Sequence, residues 1–247
     1  MNRTLVIGDI HGGLIALKEI LEKAMVTSSD HLIFLGDYVD GWSDSAQVIE
    51  YLIPISQTNK CTFIYGNHDA WCHDWLRGGI PNDTWLMHGG KATIESYNRL
   101  GVEEWAKHKE FFDSMTAYHI DGKNRLFIHA GFTSLQGPTK EHHKTNFYWD
   151  RTLWETALTS HELSELSQYY PKRLKLFNEI FIGHTPTTKW NFTLPWNRAN
   201  VWNIDTGAAF KGKLSIMDID SREIWQSENL YKLYPKESGR NKTTNQD

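Results

Sequence analysis

The sequence predicts an α/β fold organised around a parallel sheet, and two observations support this prediction. Short apolar runs bounded by glycine recur along the chain and are typical of buried strands. Over residues 4–69 these runs alternate with segments of helical periodicity, which favours βαβ units with right-handed crossovers. The runs are Thr4–Ile7, Leu32–Leu35, Thr62–Tyr65, Leu126–Ile128 and Ile180–Ile182.

Two helices are predicted between the first three strands. The second covers about Ser43–Ile53, with Ser43 or Asp44 as its N-cap, and strand Cys61–Gly66 then completes a βαβαβ unit. The first helix is expected over Gly13–Met25, with one apolar face formed by Leu14, Leu17, Ile20, Leu21 and Met25.

The remaining chain predicts two helical insertions and more strands within one domain, residues 1–234. An aromatic-rich insertion at about 70–120 is expected as a helical cap over or beside the strand ends, and a polar, mostly helical one at about 133–178. The polar, non-periodic residues 235–247 predict a flexible tail. Further strands are predicted at Ile180–Gly183, Val201–Ile204, Lys213–Ile219 and Glu223–Gln226.

The composition of the chain indicates which partners and which cellular compartment to expect. The chain has 247 residues, enough to bury one sizeable core. A net charge of −4 and a pI of about 6.3 disfavour a nucleic-acid partner, because surfaces that bind nucleic acid are usually basic. Only Cys61 and Cys72 are present, which suits a reducing compartment. With no apolar run of 18 residues and no hydrophobic signal segment, we expect a cytoplasmic protein without a membrane partner.

Side chains that bind metals or transfer protons follow five of the predicted strands. The carboxyl ends of strands are where ligands bind in open α/β sheets, so these side chains are expected to share one pocket. Any one of them could be a helix cap or a buried core residue, but six together beside glycines indicate a site for two divalent metals. Carboxylate, imidazole and amide ligands suit Mn²⁺, Fe or Zn²⁺. The six are Asp9, His11, Asp37, Asn67, His129 and His184.

The motifs GDIHG, GDYVDG, GNHD, HAG and GHT, in this order over residues 8–185, resemble those of the calcineurin-like metallophosphoesterases. More narrowly, they are similar to the phosphoprotein (serine/threonine) phosphatase branch in its bacterial and phage form. The resemblance implies a four-layer α/β/β/α sandwich, with the helical insertions acting as caps. It also implies two metal ions, most readily Mn²⁺, with a metal-bound hydroxide attacking phosphorus.

The resemblance also implies a role for each motif residue. His68 would be the general acid for the leaving oxygen and Asp40 the carboxylate that orients it, since an imidazole held by a carboxylate titrates near working pH. Asn67 would also contact the phosphate. The first metal would be held by Asp9, His11 and Asp37, and the second by Asp37 together with Asn67, His129 and His184.

The chain departs from the branch at two motif positions. Gly41 stands where the pattern has an arginine that binds phosphate, and Asp69 stands where it has glutamate. Loss of a guanidinium–phosphate pair costs about 2–4 kcal/mol if nothing compensates. Arg151, in a Trp-Asp-Arg segment similar to one of the phage enzymes, is the expected compensating residue. Arg77 and Lys91 are weaker candidates, because both are typical solvated charges.

Three functions agree with these residues. The first is a phosphoric monoester hydrolase of the serine/threonine phosphatase type, acting on a phosphorylated protein, a phosphopeptide or a small phosphate ester. The second is a hydrolase of dinucleoside polyphosphates or phosphodiesters, which the glycine at 41 would suit because these substrates lack a terminal dianion at the bond that breaks. The third, a non-catalytic metal-binding scaffold, is least expected because every motif ligand is present.

Overall fold

Two five-stranded β-sheets form the centre of the protein in the computed structural model, which describes residues 3–241. The first sheet has the order β10-β9-β1-β2-β3. Strands β1, β2 and β3 are parallel, as the βαβ pattern predicts, while β9 and β10 add an antiparallel hairpin. Its strands are β1 (Thr4–Ile7), β2 (His31–Phe34), β3 (Lys60–Phe63), β9 (Ser215–Asp218) and β10 (Ile224–Gln226).

The second sheet has the order β4-β5-β6-β8-β7. Its central strands β5, β6 and β8 are parallel, and the short edge strands β4 and β7 are antiparallel to their neighbours. The strands are β4 (Tyr118–Ile120), β5 (Arg125–Ile128), β6 (Glu179–Ile182), β7 (Trp196–Arg198) and β8 (Val201–Asn203).

Alternation of side chains along the strands divides the core into three layers. In β1, Leu5 and Ile7 pack beneath the helices while Val6 faces the other sheet; in β5, Phe127 likewise faces inward. Because successive strand residues point to opposite faces, a strand buried on both sides needs an unbroken apolar run, which is the observed pattern. The helices cover both outer faces, so the predicted four-layer α/β/β/α sandwich is confirmed.

Nine α-helices are present in the described part of the chain, and none of them has the length and apolar character needed to cross a membrane. The helix predicted near Ser43–Ile53 runs on past Pro54, and Asp44 makes no side-chain cap to it. The helices are α1 (Leu14–Lys23), α2 (Ser45–Thr58), α3 (Asn67–Leu76), α4 (Asp83–Trp85), α5 (Lys91–Tyr97), α6 (Val102–Asp113), α7 (Asn146–Trp149), α8 (Thr152–Ser160) and α9 (Leu230–Leu233).

The predicted cap between residues 70 and 120 contains α3 to α6 and packs onto the motif segments. A wide helical turn, Leu86–Gly90, joins α4 to α5 and kinks at Gly89, whose φ is +110°. A Cβ at Gly89 would lie 2.6 Å from the backbone N of Gly41, so the kink brings the cap into direct contact with the second motif. This contact places Trp85 and His88 beside the strand ends.

The structure adds two features to the sequence prediction. The strands β4 and β7 were not predicted, because each has only three residues at a sheet edge and lies in a segment of mixed periodicity. Residues 235–241, predicted as part of a flexible tail, contact the rest of the domain: the Glu237 carboxylate accepts hydrogen bonds from the backbone N and hydroxyl of Ser43, and the Arg240 N–H donates to Ala209 O. Residues 242–247 of the predicted tail lie outside the described residues.

Candidate metal and phosphate site

The backbone at the site is held in a conformation that L-residues seldom adopt. His11, Asp37, Asp40 and His184 have φ values of 53°, 53°, 74° and 67°. Positive φ in non-glycine residues is uncommon and costs of order 1–3 kcal/mol each, and such residues concentrate at functional sites. Each of these residues lies just after a strand, where the chain turns sharply and directs the side chain into the space between the sheet ends.

The six predicted metal ligands come together at this edge, with Asp37 at the centre. Asp37 Oδ2 lies 3.6 Å from His11 Nε2 and 3.4 Å from His129 Nε2. Asn67 Oδ1 lies 2.8 Å from His184 Nδ1. Two groups of potential ligand atoms, each within 4.8 Å of one another, share this carboxylate: His11 with Asp37 and His68, and Asp37 with His129 and His184.

Two histidine rings are oriented so that Nε2 faces this centre. His129 Nδ1 lies 2.8 Å from Leu35 O and His11 Nδ1 lies 3.0 Å from Asp40 O. A carbonyl oxygen only accepts, so each Nδ1 carries a proton, and each Nε2 is the atom that can offer a lone pair to a cation. Lone pairs that converge on one carboxylate repel each other unless a cation lies between them, so the donor set fits a pair of metal ions.

Asp9 supplies a further ligand atom to the same space. It is buried, its Oδ2 accepts a hydrogen bond of 2.9 Å from the backbone N of His184, and its Oδ1 has no partner among the described residues. Asp9 Oδ2 lies 4.0 Å from His11 Nε2. An unpartnered buried carboxylate oxygen is costly, which a bound cation would relieve. Asp9 therefore fits the role predicted for it, beside His11 and Asp37.

A buried pair of His68 and Asp40 lies next to the metal groups. His68 Nδ1 is 2.6 Å from Asp40 Oδ2, which also accepts from Trp85 Nε1 at 2.7 Å. The Thr93 hydroxyl donates to Asp40 Oδ1 at 2.6 Å. With Nδ1 engaged in this way, the other ring nitrogen of His68 is left for the cavity that His68 lines. Both residues therefore lie where the general-acid prediction requires them.

Burial controls the protonation of this pair. Burial raises the pKa of Asp40 to about 7 and lowers the pKa of His68 to about 3. Both shifts oppose a separated ion pair, because each takes a charge out of water. A protonated Asp40 that donates from Oδ2 to Nδ1 of a neutral His68 is therefore favoured, which places the single N–H of the imidazole on Nε2.

Asp69 explains how the chain tolerates its departure from the glutamate of the third motif. Asp69 Oδ2 accepts from the backbone N of Asp37 at 2.7 Å and of Gly66 at 2.8 Å, and Oδ1 accepts from Tyr38 N at 2.9 Å. These bonds fix the turn that carries Asp37. Asp69 is thus a positioning residue for the shared metal ligand.

A cavity of about 130 Å³ lies directly over the two metal groups. Arg151, predicted to contact phosphate, borders it, with Nε 3.5 Å from His184 Nε2. The weaker candidates lie elsewhere: Lys91 is exposed on α5, and Arg77 forms an ion pair with Asp113. The cavity is lined by Asp37, Asn67, His68, Trp71, Thr84, His88, Trp149, Arg151, His184 and Arg240.

Sequence reasoning missed several residues of the site. Trp85 and Thr93 hold Asp40 from the cap, His88 and Trp71 stack with ring planes 9° apart, and Arg240 reaches the cavity from the C-terminal segment. None of these residues belongs to a strand-end motif. The glycine in place of arginine at 41 was the one signal that a cation had to come from elsewhere.

This arrangement defines a metal-dependent hydrolase of phosphate esters or anhydrides. A comparison with protein families matches residues 2–210 to the calcineurin-like phosphoesterases, and the protein belongs to that family. The resemblance inferred from the motifs is thereby confirmed, and the protein is a phosphoric ester hydrolase.

Individual relatives extend over most of the chain. The chain is 27% identical over 234 residues to PrpE of Oceanobacillus iheyensis, a bis(5'-nucleosyl)-tetraphosphatase (asymmetrical), and the match covers 89% of each chain. A PrpE of Bacillus cereus is 28% identical over 236 residues, covering 89% of this chain and 91% of the relative. Among solved structures, a serine/threonine phosphatase of Saccharomyces cerevisiae matches with a TM-score of 0.62 and 14% identity, over 92% of this chain and 80% of that one. This structural match shows the shared fold.

Proposed function

We propose that the protein hydrolyses a phosphoanhydride bond of a dinucleoside polyphosphate. The observation that carries this proposal is the pair of metal groups sharing Asp37 at the floor of a small cavity, together with relatives named as tetraphosphatases over nearly the whole chain. The second function considered from the sequence thus becomes the first. The relatives named as tetraphosphatases are what favours it over the first.

The metal ligands in this proposal are those predicted from the motifs. Asp9, His11 and Asp37 would hold one ion, and Asp37 with Asn67, His129 and His184 the other, with Mn²⁺ the first metal to try and Fe or Zn²⁺ the alternatives. Two such ions lower the pKa of a water molecule and polarise a phosphoryl oxygen. One of the two groups of ligand atoms contains His68 where the proposal has Asp9. A metal titration of variants at these two positions distinguishes the two assignments.

The cavity suits phosphate groups better than whole nucleotides. Sites that enclose drug-sized ligands measure about 300–1,000 Å³, whereas this one has about 130 Å³. The reacting phosphates would therefore enter while the nucleosides stay at the mouth. Trp149 lies there with 40% of its surface exposed, and its ring centroid is 5.0 Å from that of Trp71. An exposed indole is a suitable stacking surface for a nucleobase.

His68 would supply a proton to the leaving phosphate. Water adds to phosphorus, the anhydride P–O bond breaks, and the leaving oxygen takes the proton from His68 Nε2. One proton of the water stays on the product phosphate and the other passes to solvent, from which the His68–Asp40 pair later regains the proton it gave. The Asp40 proton can then move to His68 Nδ1, which keeps the imidazole neutral. The resulting Asp40 carboxylate is already held by Trp85 and Thr93, so this charge needs no new partners.

The test compares three substrates with the Mn²⁺-loaded protein and an Asp37→Asn control. We expect diadenosine tetraphosphate to give ATP and AMP, with a higher kcat/KM than p-nitrophenyl phosphate or bis-p-nitrophenyl phosphate. The control should be inactive, because Asp37 belongs to both metal groups. A clear preference for p-nitrophenyl phosphate, with diadenosine tetraphosphate uncut, would contradict the proposal.

The second candidate is the phosphomonoesterase predicted first from the sequence. Arg151 borders the cavity at 3.5 Å from His184 and would contact a terminal phosphate dianion, which is the specific feature in its favour. Its substrate would be a phosphopeptide, a phosphoprotein or a small ester. Release of phosphate from phosphoserine peptides faster than from diadenosine tetraphosphate would make this the function.

A further inference from the structure

The backbone at Gly41 excludes a phosphate-binding side chain at this motif position. Its φ is +122°, a conformation that L side chains rarely adopt. A Cβ built there would lie 3.3 Å from His11 O and 3.4 Å from the Cγ of Arg240. The aliphatic stem of Arg240 therefore passes beside the very position from which the motif arginine would extend.

Trp42, the residue after Gly41, anchors the segment that carries Arg240. Gly239 lies against the indole with φ +57°, and a Cβ there would come within 2.7 Å of the ring. The next N–H, that of Arg240, donates to Ala209 O at 2.9 Å. Gly41 leaves space for the stem of Arg240, and Trp42 provides the surface on which Gly239 rests, so the two residues act together.

Two further contacts fix the approach of this segment. The Tyr234 ring stacks on Trp42 at 5.2 Å, and its hydroxyl donates to Asp44 Oδ2 at 2.7 Å. The Glu237 carboxylate accepts from the Ser43 N–H at 2.9 Å and from the Ser43 hydroxyl at 2.7 Å. The C-terminal segment is thus tied to residues 42–44, directly after the motif.

Arg240 is one of the residues that line the cavity, and its guanidinium has hydrogen-bonding capacity to spare. Nη2 donates to His88 Nδ1 at 3.4 Å, and Cζ lies 5.2 Å from the Phe210 ring centroid. Nε is buried and has no partner within residues 3–241. A buried donor without a partner is costly unless a ligand binds it. The cavity that Arg240 lines also contains Asn67 and Arg151.

We infer that Arg240 binds the phosphate group of the substrate in place of the arginine absent at Gly41. The inference depends on the phosphate-hydrolysing function proposed for this site, but not on which ester or anhydride is cut. Together with Arg151 it would place two guanidinium groups beside the metals, which suits a substrate carrying more than one phosphate.

The test replaces Arg240 and measures both catalysis and binding. Arg240→Ala should lower kcat/KM about 100-fold for whichever substrate the wild type cleaves, since one lost phosphate contact has an effect of this size. The Kd of inorganic phosphate, measured by calorimetry on Mn²⁺-loaded protein, should rise at least 10-fold. Arg240→Lys should recover part of both, and added guanidinium ion should partly restore the alanine variant.

Controls separate this role from folding and from the identity of the substrate. Arg99→Ala, which removes an exposed arginine of the cap, should change neither quantity. Arg240→Met keeps the packed aliphatic stem. A loss of kcat/KM and of phosphate affinity in this variant, at an unchanged Tm, would therefore come from the missing guanidinium. If diadenosine tetraphosphate proves not to be a substrate, phosphate affinity and p-nitrophenyl phosphate still decide. Phosphate affinity and kcat/KM within twofold of wild type in a folded Arg240→Met protein would overturn the inference.

Discussion

The side chains around Asp37 are brought together by close backbone approaches as much as by their own contacts. A Cβ at Gly183 would lie only 2.0 Å from Asp9 Oδ1, and one at Gly36 would lie 2.8 Å from His129 Nδ1. Glycine at these positions lets strand ends from different sheets approach within ligand distance. The glycines beside each motif therefore have a steric reason that the sequence pattern alone could not supply.

Replacing His68 tests the proton donor independently of the substrate. In His68→Asn, kcat should fall about 10²–10⁴-fold for an alkyl phosphate such as glycerol phosphate. The loss should be much smaller for p-nitrophenyl phosphate, because p-nitrophenolate leaves readily without a proton. Plotting the ratio of wild-type to variant kcat against the pKa of the leaving group is the measurement.

The metal content of this variant distinguishes an acid from a ligand. Two Mn²⁺ per chain in His68→Asn would support the general-acid role. Loss of one ion would instead assign His68 to the first metal group, in which its ring nitrogen lies close to His11 and Asp37. His142→Asn, at an exposed position of the polar insertion, is the matched control and should alter neither quantity.

At the scale of single elements, Glu141 fixes the start of the second insertion. Its Oε2 accepts from the backbone N–H of Thr133 and of Ser134, and its Oε1 accepts from that of His143 at 3.1 Å. Burial opposes ionisation, but these N–H groups outweigh it and lower the pKa of Glu141 to about 2. One carboxylate thus closes the loop that leads to Trp149 and Arg151.

Glu141→Gln should lower the free energy of unfolding by about 1–3 kcal/mol at pH 7. A carboxyl group whose pKa is depressed in the folded state contributes stability above its unfolded pKa of about 4.3, and this contribution is lost as the pH falls toward 2. The difference between wild type and variant should therefore shrink below about pH 4.3. Urea unfolding at pH 7 and at pH 3 measures it.

Glu155→Gln is the control for this change, because Glu155 is exposed on α8 in the same insertion. It should have little effect at either pH. A Glu141→Gln protein as stable as wild type at pH 7 would show that the three backbone bonds are replaced by water at no net cost, and that other contacts position the insertion.

The elements with strong periodicity were predicted from the sequence, and those set by tertiary contacts were not. Most strands that precede the motifs are largely buried apolar runs, so their type and position follow from local sequence. Strand β4, by contrast, begins at Tyr118 in an aromatic segment that was assigned to the helical cap, and only pairing with β5 makes it extended.

Across the whole molecule, the residues of the candidate site also differ in this way: local sequence predicts some of them, and only long-range contacts bring in the others. The convergence of the six proposed metal ligands could be predicted, because each lies within a few residues of its strand. Arg240 could not, because 199 positions (240 minus 41) separate it from the gap that it fills, and only the folded chain shows that they meet. Trp85 and Thr93, which reach Asp40 from the cap, belong to the same class of long-range contact.

Metal binding should stabilise the entire fold, because the proposed metal ligands come from both sheets. Asp9, His11 and Asp37 follow strands of the first sheet, while His129 and His184 follow strands of the second. In the metal-free protein, burial alone would lower the pKa of His129, but the Asp37 and Asp9 carboxylates outweigh it and raise that pKa to about 10. A proton therefore takes the place between the lone pairs that a cation would occupy.

Mn²⁺ should consequently raise Tm and release protons as it binds. At 100 times Kd one bound ion adds about 2.7 kcal/mol, which corresponds to about 5–10 °C for a domain of this size. Asp37→Asn should abolish most of the shift, since that carboxylate belongs to both groups, whereas exposed Asp74→Asn should retain it. Thermal unfolding in the presence of Mn²⁺ and in the presence of a chelator measures the shift in Tm. An equal shift in wild type and Asp37→Asn would mean that the ions bind elsewhere and that the two sheets are not joined through this carboxylate.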